Sequence, residues 1–255
     1  KFLLLLLLTT FIIQVSGQQA PEIIKVPTKR NVIFGSVYAG YYLGLNDNVQ
    51  PKSAFNMPTA LLGVKSQMYE KVNVTLIYDV TRTTNFSYTD SSGITGYFEG
   101  SKYTAFLKMA QIDYKMNKFV MFSIGQLLNE QYLTVQDKWW NHRYVEVTMQ
   151  EKYRFGMPAD FGARMTFYYE KMLAFSLTAV NGEGPFRYQD DNGKHLISGN
   201  LEYTPNENIM LKAYADVQPP QVDSGVNRSA MSFFAGYRKD KIMAVIEYKT
   251  VNNAS

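Results

Sequence analysis

Charged side chains recur at alternate positions along strand-like stretches of this sequence. Residues at this spacing lie on one face, because successive side chains of a strand point to opposite sides of a sheet. Fixed charges on a water-facing wall can offset the hydration that an ion loses in a narrow pore. The residues that we assign to a pore lining or constriction are Lys65, Asp79, Lys108, Arg143, Arg154, Arg164, Glu202, Lys212 and Asp216.

The signs of these charges are close to balanced. With Lys249 and Glu247 added to the inward set, cations and carboxylates occur in similar numbers, and the segment from Leu127 to Pro158 is also mixed. Such a set forms salt bridges more readily than a strong anion-attracting field, so we expect weak or no anion selectivity. Arg143, Arg154 and Arg164 are the constriction candidates. The alternative for these three is pairing between a loop and the wall that only fixes the loop.

The sequence offers little for catalysis or metal binding. His142 and His195 have neither the spacing of a metal pair nor a recognisable serine and acid partner. The stretch Asp190-Asp191-Asn192-Gly193 lacks the ligand spacing and distal Glu of a calcium loop. The sequence contains no cysteine, so disulfides and thiolate sites are excluded. We therefore predict no catalytic residue, no metal and no cofactor.

The hairpin from Ala159 to Gly182 shows the element that must position the charges. Apolar residues alternate with small or polar ones as far as Phe167, and the alternation restarts at Leu173 after a tight turn. Each arm has about ten residues, long enough for a tilted strand to cross a bilayer. An apolar face opposite a polar face is typical of a barrel with lipid outside and water inside. For this hairpin alone, a soluble sandwich is an equal alternative.

The same alternation predicts eleven strands from Asn31 onward. Long connections are expected at Asn46–Pro58, Thr81–Ser101, Leu127–Pro158, Gly182–Lys194 and Gln218–Asn227. The predicted strand from Lys102 to Tyr114 alternates less cleanly, with Phe106 and Ile112 on its nominal inner face. In the longest connection, Trp139 and Trp140 either stack on a sugar, anchor the loop against the wall or lie at the outer girdle.

Short polar turns alternate strictly with long loops, and a tyrosine stands at or just before each short turn. We assign these tyrosines to an aromatic girdle at the membrane boundary: Tyr69, Tyr114, Tyr168, Tyr203 and Tyr237. Short periplasmic turns, long outer loops and aromatic girdles are typical of outer-membrane barrels. The predicted fold is therefore all-β, an antiparallel up-and-down transmembrane β-barrel in the outer membrane of a Gram-negative bacterium.

The N-terminal segment has the features of a secretory signal. A lysine precedes an apolar core from Phe2 to Val15, and small residues follow it. We expect a signal peptide at 1–17 with cleavage after Gly17, or alternatively after Ala20. Residues 18–30 are then a periplasmic segment, and 31–255 are the barrel domain. The net charge of +4 is mild, so nucleic acid is not an expected partner.

Five stretches carry a resemblance: Gly125-Gln126, Arg143-Tyr144, Met157 to Gly162, Val180 to Gly184 and P-x-x-x-I-x-L-K-A-Y-x-D through Asp216. In these stretches, from Gln126 onward, the sequence resembles the phosphate-selective-porin-like outer-membrane proteins, particularly those of the Bacteroidetes. The resemblance covers roughly Asn31 to Thr250. It implies a wide barrel whose long third outer loop folds inward and narrows the pore. Because such porins are often trimers, it also implies a homotrimer, although no interface can be identified from the sequence.

The odd number of strands leads to a further expectation. Bacterial single-chain barrels close with an even number, so we expect a C-terminally truncated fragment of a parent with about sixteen strands, as the resemblance implies. The sheet should be curved and open, with its first and last strands apart. The expected function is non-enzymatic, passive diffusion of small hydrophilic solutes or anions, with outer-membrane lipid as a partner. The alternatives are a plugged structural or adhesin-type barrel, which the inward Phe34, Phe106 and Phe234 favour, and a barrel-embedded hydrolase.

Overall fold

A computed structural model describes most of the chain after residue 30. The described residues are 31–45, 52–82, 86–89, 95–98, 103–131, 139, 149–153, 155–185, 193–220 and 225–253. The predicted signal peptide and periplasmic segment lie outside them, as do Trp140, His142, Arg143 and Arg154.

The described chain is almost entirely β-strand. Its strands are β1 (Asn31–Leu43), β2 (Ser53–Tyr69), β3 (Val72–Arg82), β4 (Phe86–Thr89), β5 (Thr95–Phe98), β6 (Tyr103–Lys115), β7 (Val120–Leu128), β8 (Ala159–Tyr169), β9 (Leu173–Val180), β10 (Leu196–Asn206), β11 (Ile209–Gln218), β12 (Arg228–Lys239) and β13 (Ile242–Asn252). Among the described residues, a short helix, α1, spans Met149–Lys152. No helix among the described residues combines the length and apolar character needed to cross a membrane.

Eleven strands form one antiparallel sheet in the order β1-β2-β3-β6-β7-β8-β9-β10-β11-β12-β13. Each strand pairs with its neighbour along the chain, apart from the hairpin β4–β5, which forms a separate two-stranded sheet. Within the described residues, β1 and β13 are the two edges of the large sheet and do not pair with each other. The predicted all-β, up-and-down, open sheet of eleven strands is therefore confirmed.

The connections also follow the predicted alternation. Tight turns join β2 to β3, β6 to β7, β8 to β9, β10 to β11 and β12 to β13, and longer segments make the other connections. Two of the tight turns contain a non-glycine residue with positive φ, Glu170 at 52° and Asp240 at 53°. Because neighbouring strands are antiparallel, all the tight turns lie at one end of the sheet and the longer connections lie at the other.

The sheet buries polar side chains and exposes apolar ones. Among the described residues, the buried set contains 21 polar or charged side chains and only 8 hydrophobic ones. Large apolar side chains on the opposite face are widely exposed, for example Ile33 at 74%, Leu177 at 48% and Ile246 at 70%. Soluble domains bury their apolar face instead. We call the polar side the inward face and the apolar side the outward face.

Two predicted loops are wrong in part. The hairpin β4–β5 occupies the middle of the segment Thr81–Ser101. In the segment Asn46–Pro58, β2 already begins at Ser53. Pro58 lies where the pairing of β1 with β2 is interrupted, because Tyr38 pairs with Thr59 whereas Gly40 pairs with Asn56. Proline has no N–H to donate, so it is tolerated in a strand at such a bulge.

A second bulge corrects the inner face predicted for Ile112. Ile77 pairs with Met109 and Tyr78 pairs with Leu107, so Lys108 is an extra residue in β6. The bulge reverses the alternation on either side of it. Phe106 accordingly pairs with the inward Asp79, as expected. Ile112 faces outward and is 47% exposed.

Candidate functional site: a loop folded onto the polar face

In the segment between β7 and β8, residues 129–158, the described residues Glu130, Trp139 and Phe155 contact the inward face of β8–β13. We call this segment the infolded loop and the inward face of β8–β13 the covered wall. Asn129 N–H donates to the Pro158 carbonyl at 2.9 Å, and its side-chain amide donates to the Met157 carbonyl at 3.1 Å. These bonds close the base of the infolded loop.

Glu130 joins the infolded loop to three strands of the covered wall. One carboxylate oxygen lies 3.4 Å from Arg164 Nε on β8. The other accepts hydrogen bonds from the hydroxyls of Ser176, at 2.6 Å, and Thr178, at 3.4 Å, on β9. The Glu130 carbonyl accepts a further bond from Lys212 Nζ on β11. All four partners and Glu130 are buried, so this contact is shielded from water.

The two cations that meet Glu130 are held by the wall as well. Arg164 Nε donates to Thr178 Oγ1 at 3.1 Å, and Arg164 Nη2 donates to the Leu128 carbonyl at 2.6 Å. Lys212 Nζ lies 3.5 Å from a carboxylate oxygen of Glu202 on the neighbouring strand. Arg164 therefore takes part in pairing between loop and wall.

Trp139 anchors the infolded loop further along the covered wall. Its ring is 6% exposed and packs against Met210 and Phe234, with Val245 beside them. The Arg238 guanidinium lies over the ring, 5.1 Å from its centroid. This packing matches the anchoring alternative for Trp139.

The last described part of the infolded loop is held by β12 and β13. The Phe155 carbonyl accepts hydrogen bonds from Arg228 Nη2 and Lys249 Nζ, both at 3.2 Å. Lys249 Nζ also lies 4.7 Å from the centroid of the Phe155 ring. Arg228 is in turn paired with Asp216 at 3.1 Å, and Asp216 accepts a bond from the Tyr214 hydroxyl at 3.0 Å.

These contacts are distributed along the strand direction, from one end of the sheet to the other. Met210 and Val245 lie close to the tight-turn ends of β11 and β13, whereas Arg228 and Lys249 lie close to the opposite ends of β12 and β13. The contacts of Trp139 and Phe155 are thus at opposite ends of the covered wall. The described contacts of the infolded loop therefore occur at both the tight-turn end and the end with longer connections.

Two of the sequence stretches that carry the resemblance contact each other at the end with longer connections. A carboxylate oxygen of Asp160 accepts a bond from the Gly182 N–H at 2.6 Å, and the other accepts from its neighbour Phe161 at 2.7 Å. The Gln218 amide donates to the Gly182 carbonyl at 2.9 Å. Gly182 has φ 110°, a conformation that favours glycine. Asp160 and Gly182 therefore fix the start of the connection between β9 and β10.

The inward face of β1 and β2, which we call the open wall, is different. Lys65 is exposed and has no hydrogen-bond or ion-pair partner among the described residues. Opposite it in the register is Val32, 50% exposed, and two residues along the same face the exposed Phe34 lies opposite Gly63. Between the two walls, Lys108 on β6 is buried in a 2.7 Å salt bridge to Asp79 on β3.

The tyrosines near the tight turns lie on the outward face with one exception. Exposure is 55% for Tyr69, 44% for Tyr114, 37% for Tyr203 and 41% for Tyr237. Tyr168 is the exception, because it follows the buried Arg164 and Thr166 at alternate positions and therefore lies on the inward face. The outward residue at this turn is Tyr169, 63% exposed, which replaces Tyr168 in the predicted girdle.

Of the predicted lining residues, the structure brings Arg164, Lys212 and Glu202 together around Glu130, and it leaves Lys65 apart. Glu130 is one of the mixed charges of the segment Leu127–Pro158, and nothing in its local sequence indicates a buried partner. A barrel-embedded hydrolase would have His195 and the nearby Ser198 as its candidate residues. Ser198 is buried on the inward face, whereas His195 is exposed before β10. No group of three His, Cys, Asp or Glu among the described residues is arranged for a metal ion.

No protein-family model matches the sequence, and no curated protein matches it. Solved structures do resemble the chain. One is the Salmonella typhi OmpF complex with daunomycin, at 11% sequence identity and a TM-score of 0.44, covering 87% of this chain and 78% of that chain. A likeness this distant identifies neither a family nor a function, so the resemblance to phosphate-selective-porin-like proteins stays a prediction.

Proposed function

We propose that the large sheet spans the outer membrane of a Gram-negative bacterium as the wall of a β-barrel. We also propose that small hydrophilic solutes or anions diffuse passively along its inward face. The observation that carries this proposal is the inverted polarity of the sheet, whose outward face exposes apolar side chains and whose inward face carries the charges. A membrane supplies apolar surroundings outside, and a water-filled lumen suits the polar face.

The infolded loop narrows this lumen in the proposed channel. Glu130, Trp139 and Phe155 make its contacts with the covered wall. Because Arg164, Lys212 and Asp216 are buried in pairs, they contribute little field to a passing ion. We therefore expect weak or no selectivity between small anions and cations.

Planar-bilayer recordings on the full-length protein test the proposal. We expect stepwise conductance and a reversal potential close to zero in a potassium chloride gradient. Purified, folded protein that gives no conducting events contradicts the channel. Strong anion selectivity that disappears in Arg164→Ala or Arg154→Ala contradicts the balanced lumen.

A second candidate is a plugged barrel that acts through its outer loops as a structural or adhesin-type protein. The burial of Trp139 near the tight-turn end favours it, because a loop that reaches so far takes up space through the height of the lumen. A channel silent in the intact protein, but conducting after Trp139→Ala, would support this candidate. The homotrimer stays part of the proposal, and the molecular mass of the detergent-solubilised protein tests it.

A further inference from the structure

We propose that the open wall holds a binding site for organic anions with a flat apolar body, formed by the Lys65 ammonium and the Phe34 ring. The inference rests on the proposed function, because both side chains face the lumen of the proposed channel. It adds a class of ligand that the balanced charge of the covered wall does not suggest.

Lys65 is available to a ligand in a way that the buried inward cations are not. Lys108, Arg164 and Lys212 are each buried within reach of a carboxylate, at 2.7, 3.4 and 3.5 Å. Lys65 is exposed and has no such partner among the described residues. An ammonium that keeps its three donors free can bind a carboxylate at a partly apolar surface, where water competes less.

The Phe34 ring packs directly over Gly63. A Cβ placed on Gly63 would lie 2.3 Å from a ring carbon of Phe34, so the ring crosses β2 where no side chain stands in its way. The ring nevertheless remains 40% exposed. Phe34 thus presents an aromatic surface on the inward face that another flat group can stack on.

The register places these groups next to each other. Phe34 pairs with Gly63, and Val32 pairs with Lys65 two residues along the same face. Diagonal neighbours on one face of a sheet lie roughly 7–8 Å apart, within reach of a long side chain. The spacing suits a carboxylate attached directly to a ring. An inorganic anion would gain nothing from Phe34 and Val32, and an aromatic cation would be repelled by Lys65.

Benzoate is the probe, with acetate and neutral benzamide as comparisons. Titration calorimetry on the full chain in detergent micelles should show benzoate binding more tightly than either, and benzoate should reduce the single-channel current in bilayers. Lys65→Gln should weaken benzoate binding about tenfold, since a hydrogen bond to a charged group contributes about 1.5 kcal/mol. The control Lys71→Gln removes the same charge from the turn between β2 and β3 and should leave benzoate binding unchanged.

Gly63→Ala tests the ring without altering charge. The new methyl group must displace Phe34, so the preference for benzoate over acetate should fall about threefold. Gly199→Ala is its control, because a Cβ there meets only Leu177, at 3.9 Å.

The outcomes separate this site from the channel. Benzoate binding that is lost in Lys65→Gln while no conductance is seen keeps the site and contradicts the proposed function. Conducting protein that binds benzoate no better than benzamide, or equally well after Lys65→Gln, overturns the site and leaves the channel in place. Calorimetry on Phe34→Leu gives a third check, because loss of the ring should have the same effect as Gly63→Ala.

Discussion

The covered wall and the open wall are both formed by antiparallel strands and both carry charged side chains. They differ in whether those side chains are buried and paired. On the covered wall, Arg164, Lys212 and Asp216 are buried and paired. On the open wall, Lys65 is exposed and unpaired among the described residues. The described contacts of the infolded loop lie on the covered wall, where they contribute to this burial.

The comparison shows that an inward charge is not the same as a charge that a solute meets. Buried pairs are costly to desolvate and are destabilised severely when one partner is removed. Exposed charges contribute little to stability, but a ligand can reach them. We therefore expect stability to depend on the covered wall, and recognition of solutes to depend on the open wall.

The largest expected effect follows from Glu130→Ala. Truncation removes the buried carboxylate that pairs with Arg164 and accepts from Ser176 and Thr178. The free energy of unfolding should therefore fall by about 3 kcal/mol. Denaturant unfolding in detergent, followed by tryptophan fluorescence, measures this change. Lys65→Ala on the open wall is the matched control and should change it by less than about 0.5 kcal/mol. Equal effects at the two positions would show that the walls do not differ.

A second prediction restricts the difference to the inward face. Leu62 lies outward behind the open wall and Leu201 outward behind the covered wall, 55% and 40% exposed. If both face lipid, Leu62→Arg and Leu201→Arg should each destabilise the folded barrel by about 2–4 kcal/mol near the bilayer midplane. Unfolding in lipid vesicles measures both variants. Destabilisation below about 0.5 kcal/mol at both positions would indicate that water, not lipid, covers the outward face.

The strands and their order follow from the sequence because period-two alternation is a local property. The hairpin at Ala159–Gly182 was predicted from its own residues, and its turn and two faces are as expected. The predicted faces fail where an extra residue enters a strand, as at Lys108. The girdle assignment of Tyr168 follows from its position beside a turn, whereas its alternation with Arg164 and Thr166 places it on the inward face.

The candidate site was predictable only in part, for a physical reason. The alternation shows that Arg164 and Lys212 face inward, but the choice of partner depends on how a long connection folds back over distant strands. Glu130 is 46 residues from Ser176 and 82 from Lys212. No local pattern records contacts at such separations, and the same limit applies to Trp139 and to the unpaired state of Lys65.

A third prediction concerns the boundary between the walls, where β6 pairs with β7. Gly125 has φ 124°, and a Cβ there would lie 2.1 Å from the Ala110 carbonyl oxygen. Gly125→Ala must therefore strain or shift this pairing, and we expect a loss of about 1–3 kcal/mol in the free energy of unfolding. The control is Gly199→Ala on β10, which should cost well under 1 kcal/mol. The same denaturant titration compares the two variants, and identical midpoints would contradict the strain at Gly125.

The smallest energetic effect gives the most direct view of the two walls. The chain contains no cysteine, so a single introduced cysteine can be labelled without background from other thiols. Ser36 is exposed on the open wall and Ser232 is buried on the covered wall, at 6% exposure. Ser36→Cys and Ser232→Cys should each change stability by less than about 0.5 kcal/mol. A charged, water-soluble thiol reagent should nevertheless modify the cysteine at position 36 quickly and the cysteine at position 232 slowly.

In a Glu130→Ala background the infolded loop loses a main attachment, so the labelling rate of Ser232→Cys should rise while that of Ser36→Cys stays constant. Fast labelling of Ser232→Cys in the otherwise unaltered chain would show that water reaches both walls, and selectivity would then have to be sought at Arg164 and Lys212 as well as at Lys65.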